Sequence, residues 1–401
     1  MADSRLVRAT LWAGFFTNGV WDMLSVAVPL YAAAVGLSPA DIGFIVAARS
    51  VLPTLLSIHG GILMDYWGTR RVMLWVAVAC VLLPLLYPLA GWFPPLLLLQ
   101  LLLGLASSLG MAAAQTWSLQ TSHDVATLAR FSLFSRIGTF IAPLLIGAVW
   151  DLLGALAAFT CIAAWAAGTV VATARAPDEG PGQSSGKRSL RPVSVLVPQW
   201  AAHREALALS VIPAVAFVLA VSFFRNAPGA VQSSLYIVYL GNVGFSGTLI
   251  GALVGICEFF GVAGSLLAAP LERVVRTPML VVFCIAASTL AIAATPLIAW
   301  AFALLIVAAG IRGAAQGLSQ PLMYSLLGKA VPPAAHGASV GVRNAVTRLA
   351  SMITPAAMGM VAEAWGIEAS FYVIGALLLA GTAVLAIAAR ALQKRAVAAA
   401  T

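Results

Sequence analysis

Residues 61–71 read Gly61-Ile62-Leu63-Met64-Asp65-Tyr66-Trp67-Gly68-Thr69-Arg70-Arg71, a short charged turn between two long apolar runs, 39–63 and 71–90. Gly61 lets helices approach closely, and Gly68 permits a tight turn. Asp65 can face a helix N-terminus, while Arg70 and Arg71 hold the turn on the cytoplasmic side of a bilayer. Outward from this turn the chain is apolar almost everywhere. Its 401 residues are 62% hydrophobic and 9% charged, with a mean hydropathy of +1.00. A soluble domain carries about 25% charged residues, and a chain this apolar has too little polar surface to cover a water-facing exterior. Disordered chains, coiled coils and secreted disulfide scaffolds fall with the same numbers. A polytopic α-helical membrane protein remains.

Each crossing needs about 20 apolar residues, so the length leaves room for about twelve. Apolar runs fall at 9–35, 39–63, 71–90, 94–119, 128–150 and 154–174, then at 212–240, 246–270, 276–295, 298–327, 336–362 and 369–390. Ser38-Pro39-Ala40-Asp41 carries the chemistry of a helix start, an N-cap with Pro at the first helical position. The stretch 175–205 is the one long polar segment and reads as a cytoplasmic linker. It divides an N-terminal bundle (1–174) from a C-terminal one (206–401).

Sixteen of the 22 basic residues fall at the termini, in the linker, or in or at the edges of the even-numbered loops, and the odd-numbered loops hold none. That asymmetry places both termini in the cytoplasm; the expected location is the plasma (inner) membrane. The net charge of +9 is therefore topology, and no nucleic-acid partner is expected. Arg5 and Arg8 precede an apolar run that carries Asn18 and Asp22 without an A-x-A site, so it reads as the first span and not a cleaved signal. Cys80, Cys161, Cys257 and Cys284 each sit inside an apolar run and read as packing residues. The positions of the histidines give no metal site, and no P-loop, GxSxG or HExxH occurs, so neither an enzyme nor an ATP-driven pump is expected.

The two halves repeat in the same orientation. Gly36-Leu37-Ser38-x-x-x-Ile42-Gly43 recurs as Gly244-Phe245-Ser246-x-x-x-Ile250-Gly251 at an offset of 208, where Asn18 also meets Asn226 and Tyr31 meets Tyr239. Later the offset is 212, and Arg136, Pro143, Gly147, Asp151, Gly154 and Phe159 meet Arg348, Pro355, Gly359, Glu363, Gly366 and Phe371. Parallel repeats of this kind occur in transporters that rock about a midplane site.

On these residues the chain resembles the major facilitator superfamily over essentially its full length. The stretch 61–71 is similar to the family's G-x-L-x-D-x-x-G-x-R-R signature at every defined position. The resemblance implies twelve transmembrane helices in two parallel pseudo-symmetric six-helix bundles and alternating access. It also implies a conformational latch at Gly61, Asp65, Gly68, Arg70 and Arg71 that holds the outward-open state. Gly138-x-x-x-Ala142-Pro143-x-x-x-Gly147 is similar to the antiporter motif, with Ala142 and Ile146 in place of glycines. That similarity points to a drug/proton-antiporter-like exporter. The family's basic residue early in span 4 is absent; Gln100 stands there, at an offset of 212 from Arg312. The second copy of the loop is reduced to Gly264, Glu272, Arg273 and Arg276. The family tolerates a monomer, which is the expected state.

Ionisable residues at mid-bilayer mark a pathway. Asn18 and Asp22 share a face of span 1, and Arg225 and Asn226 occupy the matching depth of span 7, followed by Pro228, which should break or kink the helix. Arg49, Glu258, Arg312 and Arg348 also fall near mid-span, whereas Arg136 and Arg343 lie nearer the cytoplasmic entrance. Asn18, Asp22, Arg49, Arg225, Asn226, Glu258, Arg312 and Arg348 are the candidates for substrate binding or coupling. Structural pairs, Asp22 with Arg49 and Glu258 with Arg225, are the competing reading. The expected function is secondary transport of a small organic solute, exported against a proton gradient with Asp22 carrying the proton and no cofactor bound. Uptake or facilitated passage of an anionic metabolite is the alternative, and a receptor or scaffold on the same fold is the alternative of another class.

Overall fold

A computed structural model of the chain describes residues 4–121, 124–176, 213–330 and 336–398. Five helices come first: α1 (Ser4–Ala34), α2 (Pro39–Trp67), α3 (Thr69–Leu82), α4 (Phe93–Thr121) and α5 (Val125–Ala174). The second part holds α6 (Pro213–Gln232), α7 (Leu235–Asn242), α8 (Gly247–Leu266), α9 (Ala268–Glu272), α10 (Thr277–Ala293), α11 (Thr295–Ile298), α12 (Phe302–Ala330), α13 (His336–Trp365) and α14 (Ile367–Ala398). No strand occurs among the described residues. The expected linker lies almost wholly outside them.

Nine helices among the described residues are long and apolar enough to cross a membrane. That tally counts α5 once, although Gly154 at φ 78° and ψ −175° breaks it into the two runs expected at 128–150 and 154–174. It also leaves out α1 and the 17-residue α10. Asp124 starts α5 by accepting the backbone N–H of Thr127 at 3.0 Å and its hydroxyl at the same distance. Those bonds hold its carboxyl below the usual carboxylate range. The expected break at Pro228 is displaced. Pro228 lies within α6, and the chain turns at Ser233 and Ser234. Their hydroxyls donate to the carbonyls of Ala230 and Val231 at 3.2 and 3.0 Å, so local side-chain bonding ends the helix there.

The chain divides into two compact units. The first comprises Met1–Leu37, Ala48–Gln199 and Gly244–Gly255; the second comprises Ser38–Ala47, Trp200–Val243 and Ile256–Thr401. The first turns of α2 thus belong with the second unit, and those of α8 with the first. In the first unit α1 lies along α5, and α3 packs on α4 and α5. Its core includes Leu11, Met73, Trp117 and Phe131. The second unit repeats these pairings: α6 packs on α13, and α10 on α12 and α14, around Val221, Val281, Ile285 and Met323. Tyr31 meets Phe159 edge-on at 5.3 Å in the first, and Tyr239 meets Phe371 at 5.4 Å in the second.

Glycines set the closest approaches within each unit. A Cβ on Gly104 of α4 would lie 2.1 Å from the carbonyl oxygen of Arg49, and one on Gly313 of α12 would lie 2.1 Å from that of Cys257. Small residues let membrane helices meet backbone to backbone. These matched contacts also correct the alignment of the repeats. Position 313 answers position 104, so Arg312 answers Leu103 and not Gln100. Gln100 is buried and accepts the Tyr87 hydroxyl at 3.1 Å. Gly104→Ala should already lower the thermal midpoint of the purified protein, and Gly104→Val should lower it further, because carbonyl backbone cannot move aside as a flexible side chain would. An unchanged midpoint in Gly104→Val would show that α2 and α4 are not held this close.

Candidate functional site

In the first unit the candidate residues gather on α1 and α2. Arg49 is 5% exposed; its guanidinium carbon lies 3.3 Å from the centre of the Trp21 ring, and Nη2 donates to the Trp21 carbonyl. A weakly hydrated planar cation suits both contacts. Asp22 is the next residue along α1 and is half-buried, so the sequence's pairing of Asp22 with Arg49 meets a structure in which Arg49 reaches α1 at that level. Asn18 lies one turn earlier and donates from Nδ2 to the Gly14 carbonyl of its own helix at 2.8 Å. Thr17, beside it, meets Thr169 of α5, oxygen to oxygen, at 3.3 Å.

The second unit gathers a larger polar group. Arg225 of α6 donates from Nε to Ser319 Oγ at 2.8 Å and from Nη2 to the Gln316 carbonyl at 2.8 Å, both on α12. Asn226 donates from Nδ2 to the Thr347 carbonyl at 2.9 Å and to Ser351 Oγ at 2.6 Å, both on α13. Two consecutive residues of α6 thus tie it to two different helices. Asn18 and Asn226 are matched by the repeat but used differently, one within its own helix and one between helices. Glu258 on α8 and Arg348 on α13 are half-buried.

Arg312 stands apart from this group. It is 1% exposed, with its guanidinium carbon 5.1 Å from the centre of the Tyr236 ring, and its Nε and Nη2 make no hydrogen bond. The structure therefore places it in the packed interior of the second unit. Arg343 is likewise buried, donating to the Tyr324 hydroxyl at 2.9 Å and to Asn344 Oδ1 at 2.7 Å, whereas Arg136 is exposed.

The turn quoted at the outset has Gly68 at φ 88°, a left-handed conformation that favours glycine. Asp65 and Arg71 are exposed. Arg70 turns back on the C-terminal end of α5, donating to the carbonyls of Thr173 and Ala174 at 3.1 and 3.2 Å. A cation at the free carbonyls of a helix end is a favourable contact. The antiporter-like stretch serves two contacts. A Cβ on Gly138 would lie 2.3 Å from the Phe15 carbonyl of α1, while Gly147 meets Gly247 and Gly251 meets Pro143 with Cβ-to-oxygen distances of 2.1 Å. The repeated residues do the same in the second unit, where a Cβ added to Gly43 would lie 2.4 Å from the Pro355 carbonyl oxygen and one added to Gly359 would lie 2.6 Å from that of Pro39.

A family model described as Major Facilitator Superfamily matches residues 10–301 and 219–400. The chain belongs to the major facilitator superfamily. It is a multi-pass helical transporter, not an enzyme, that works in a lipid bilayer on a small-molecule substrate. Among solved structures, the nucleoside transporter NupG is 14% identical at a TM-score of 0.77, over 97% of this chain and 99% of that one. A bacterial homologue of the human lysosomal transporter Spinster, inward-facing and unoccupied, is 16% identical at 0.73, over 97% of each chain. A POT family transporter in complex with a thioalcohol-conjugated peptide is 13% identical at 0.71, over 95% of each. At such identities the likeness is one of fold. No curated protein matches the chain.

Within this superfamily fold, sequence reasoning missed Trp21, Gln316 and Ser319. Ser319 was visible as a polar residue inside an apolar run, a signal that a search for charges alone passes over, whereas Gln316 takes part through its main-chain carbonyl, which no side-chain pattern announces. Trp21 gave none, since a tryptophan in a span is ordinary.

Proposed function

We propose that the chain exports a small organic solute by proton-coupled alternating access, through twelve crossings, as a monomer without a cofactor in the plasma (inner) membrane, with both termini cytoplasmic. The observation that carries this reading is the hydrogen-bonded group of Arg225, Asn226, Gln316, Ser319, Thr347 and Ser351, which joins three helices inside a body built mainly of apolar side chains. Polar groups at that depth are costly and mark a solute pathway. Asp22 and Glu258 supply the acids that can take up and release a proton. The antiporter-like stretch around Pro143 favours export, and the basic-residue count favours cytoplasmic termini.

A second reading rests on the arginines. Arg49 and Arg225 are cations carried on membrane-spanning helices, and cations there suit an anionic solute, which fits uptake or facilitated passage of a metabolite. Liposomes holding the purified protein and a trapped pH dye separate the two against a panel of cationic, neutral and anionic solutes. Export predicts solute and proton moving in opposite directions, with an imposed pH gradient driving accumulation. Co-movement of an anion with protons would replace export with uptake, and downhill flux without a pH change would remove the coupling.

A further inference from the structure

We propose that Asp151 is the main latch holding the first turn of α8 against the end of the first α5 segment, with Glu363 as its weaker counterpart at α2. The crossing lies on the outer side of the membrane if the termini are cytoplasmic, as in the function proposed above. Every helix start presents N–H donors without a partner in its own helix. In α8, Ser246 Oγ accepts the Leu249 N–H at 3.3 Å. Asp151 takes what remains: Oδ1 accepts the Gly247 N–H at 2.7 Å, and Oδ2 accepts the Thr248 N–H at 2.7 Å and the Thr248 hydroxyl at 2.6 Å. A carboxylate there meets both the donors and the positive end of the helix.

The crossing beneath it brings this about. Gly147 and Gly247 are in backbone contact, and Asp151 stands one turn beyond Gly147, level with the α8 start. A Cβ on Gly247 would lie 2.9 Å from Asp151 Oδ1, so a bare glycine is what lets the carboxylate in.

The repeat builds the same crossing in the second unit but weakens the latch. Ser38 Oγ accepts the Asp41 N–H at 3.2 Å, as Ser246 does for Leu249. Pro39, however, stands where α8 has Gly247, and proline has no N–H to give. Glu363 is left with the Ala40 N–H alone, at 3.4 Å. One latch has three close hydrogen bonds and the other a single long one. The donors and the carboxylate can return to water when the crossing parts, so each is a reversible contact and not a permanent tie.

Nitroxides at Leu153 and Leu249, on a background lacking the four cysteines, report this crossing in lipid nanodiscs by their distance distribution. Asp151→Asn should raise the longer-distance population several-fold, Thr248→Val should raise it less, and Glu363→Gln should leave it near the parent. Thr248→Val keeps the carboxylate and carries the test if Asp151→Asn misfolds. A distribution unchanged in both Asp151→Asn and Thr248→Val overturns the latch, as does a larger shift in Glu363→Gln than in Asp151→Asn. The side of the membrane is read separately, from an impermeant maleimide on a single cysteine at Asn242. Reaction on sealed cells supports the outer placement. Reaction only after the membrane is opened overturns that placement, while the distances still decide the latch.

Discussion

Asp22→Asn should reduce pH-driven accumulation to the level of protein-free liposomes while substrate counterflow continues. The amide keeps the size and polarity of the side chain but carries no exchangeable charge. Asp22 is half-buried on α1, directly after Trp21, whose ring and carbonyl hold the Arg49 guanidinium. A half-buried carboxyl on a membrane-spanning helix can gain and lose a proton as its surroundings change. Counterflow needs only that the loaded protein alternate, so its survival separates a lost proton from a lost fold. Full pH-driven accumulation in the variant would move the coupling role to Glu258 or leave an uncoupled facilitator.

Arg225→Gln should weaken binding of the transported solute by roughly ten- to a hundredfold, the range that hydrogen bonds to a charged group of about 1.5–3 kcal/mol supply. Stability should fall far less. Ser319 Oγ already donates to the Gln316 carbonyl at 3.0 Å, so the α12 partners keep one another when the guanidinium is gone. Arg225→Lys should fall between, because a single ammonium cannot fill both prongs of the fork. Binding measured calorimetrically and melting of the same samples check the split. Wild-type affinity in Arg225→Gln would remove the arginine from the solute site. A cycle with Glu258→Gln then asks whether the two side chains are coupled.

The repeat was legible in the sequence because its residues are of unusual types for a span. An aspartate, a proline and paired glycines at fixed offsets stand out in an apolar background. Their partners were not legible. Gly43 with Pro355, and Gly251 with Pro143, join positions far apart along the chain, and no local pattern announces such a meeting. The register of α4 against α12 was misread for a similar reason: Gln100 looks like the counterpart of an arginine, while the decisive residue, Gly104, is one glycine among many. Individual glycines carry no chemistry until a neighbouring backbone is seen. Ser319 and the Gln316 carbonyl escaped because the first is small and the second belongs to the main chain. Pro228 misled in the opposite direction, since α6 tolerates it and two serine hydroxyls further on set the break.

The backbone contacts at Gly147 and Gly251, and their counterparts at Gly359 and Gly43, bear on how fast such a seam can part and rejoin. Interdigitated side chains must leave one set of rotamers and search for it again on return. Glycine against a carbonyl has no rotamer to lose, and in lipid its separation strands little apolar surface in water. Such a seam can open and close many times without a rotamer search at its glycines, and main-chain shape brings the two helices back into line before the Asp151 contact re-forms. Turnover at these crossings should then be limited by whatever the solute and proton do elsewhere, not by repacking of the seam itself.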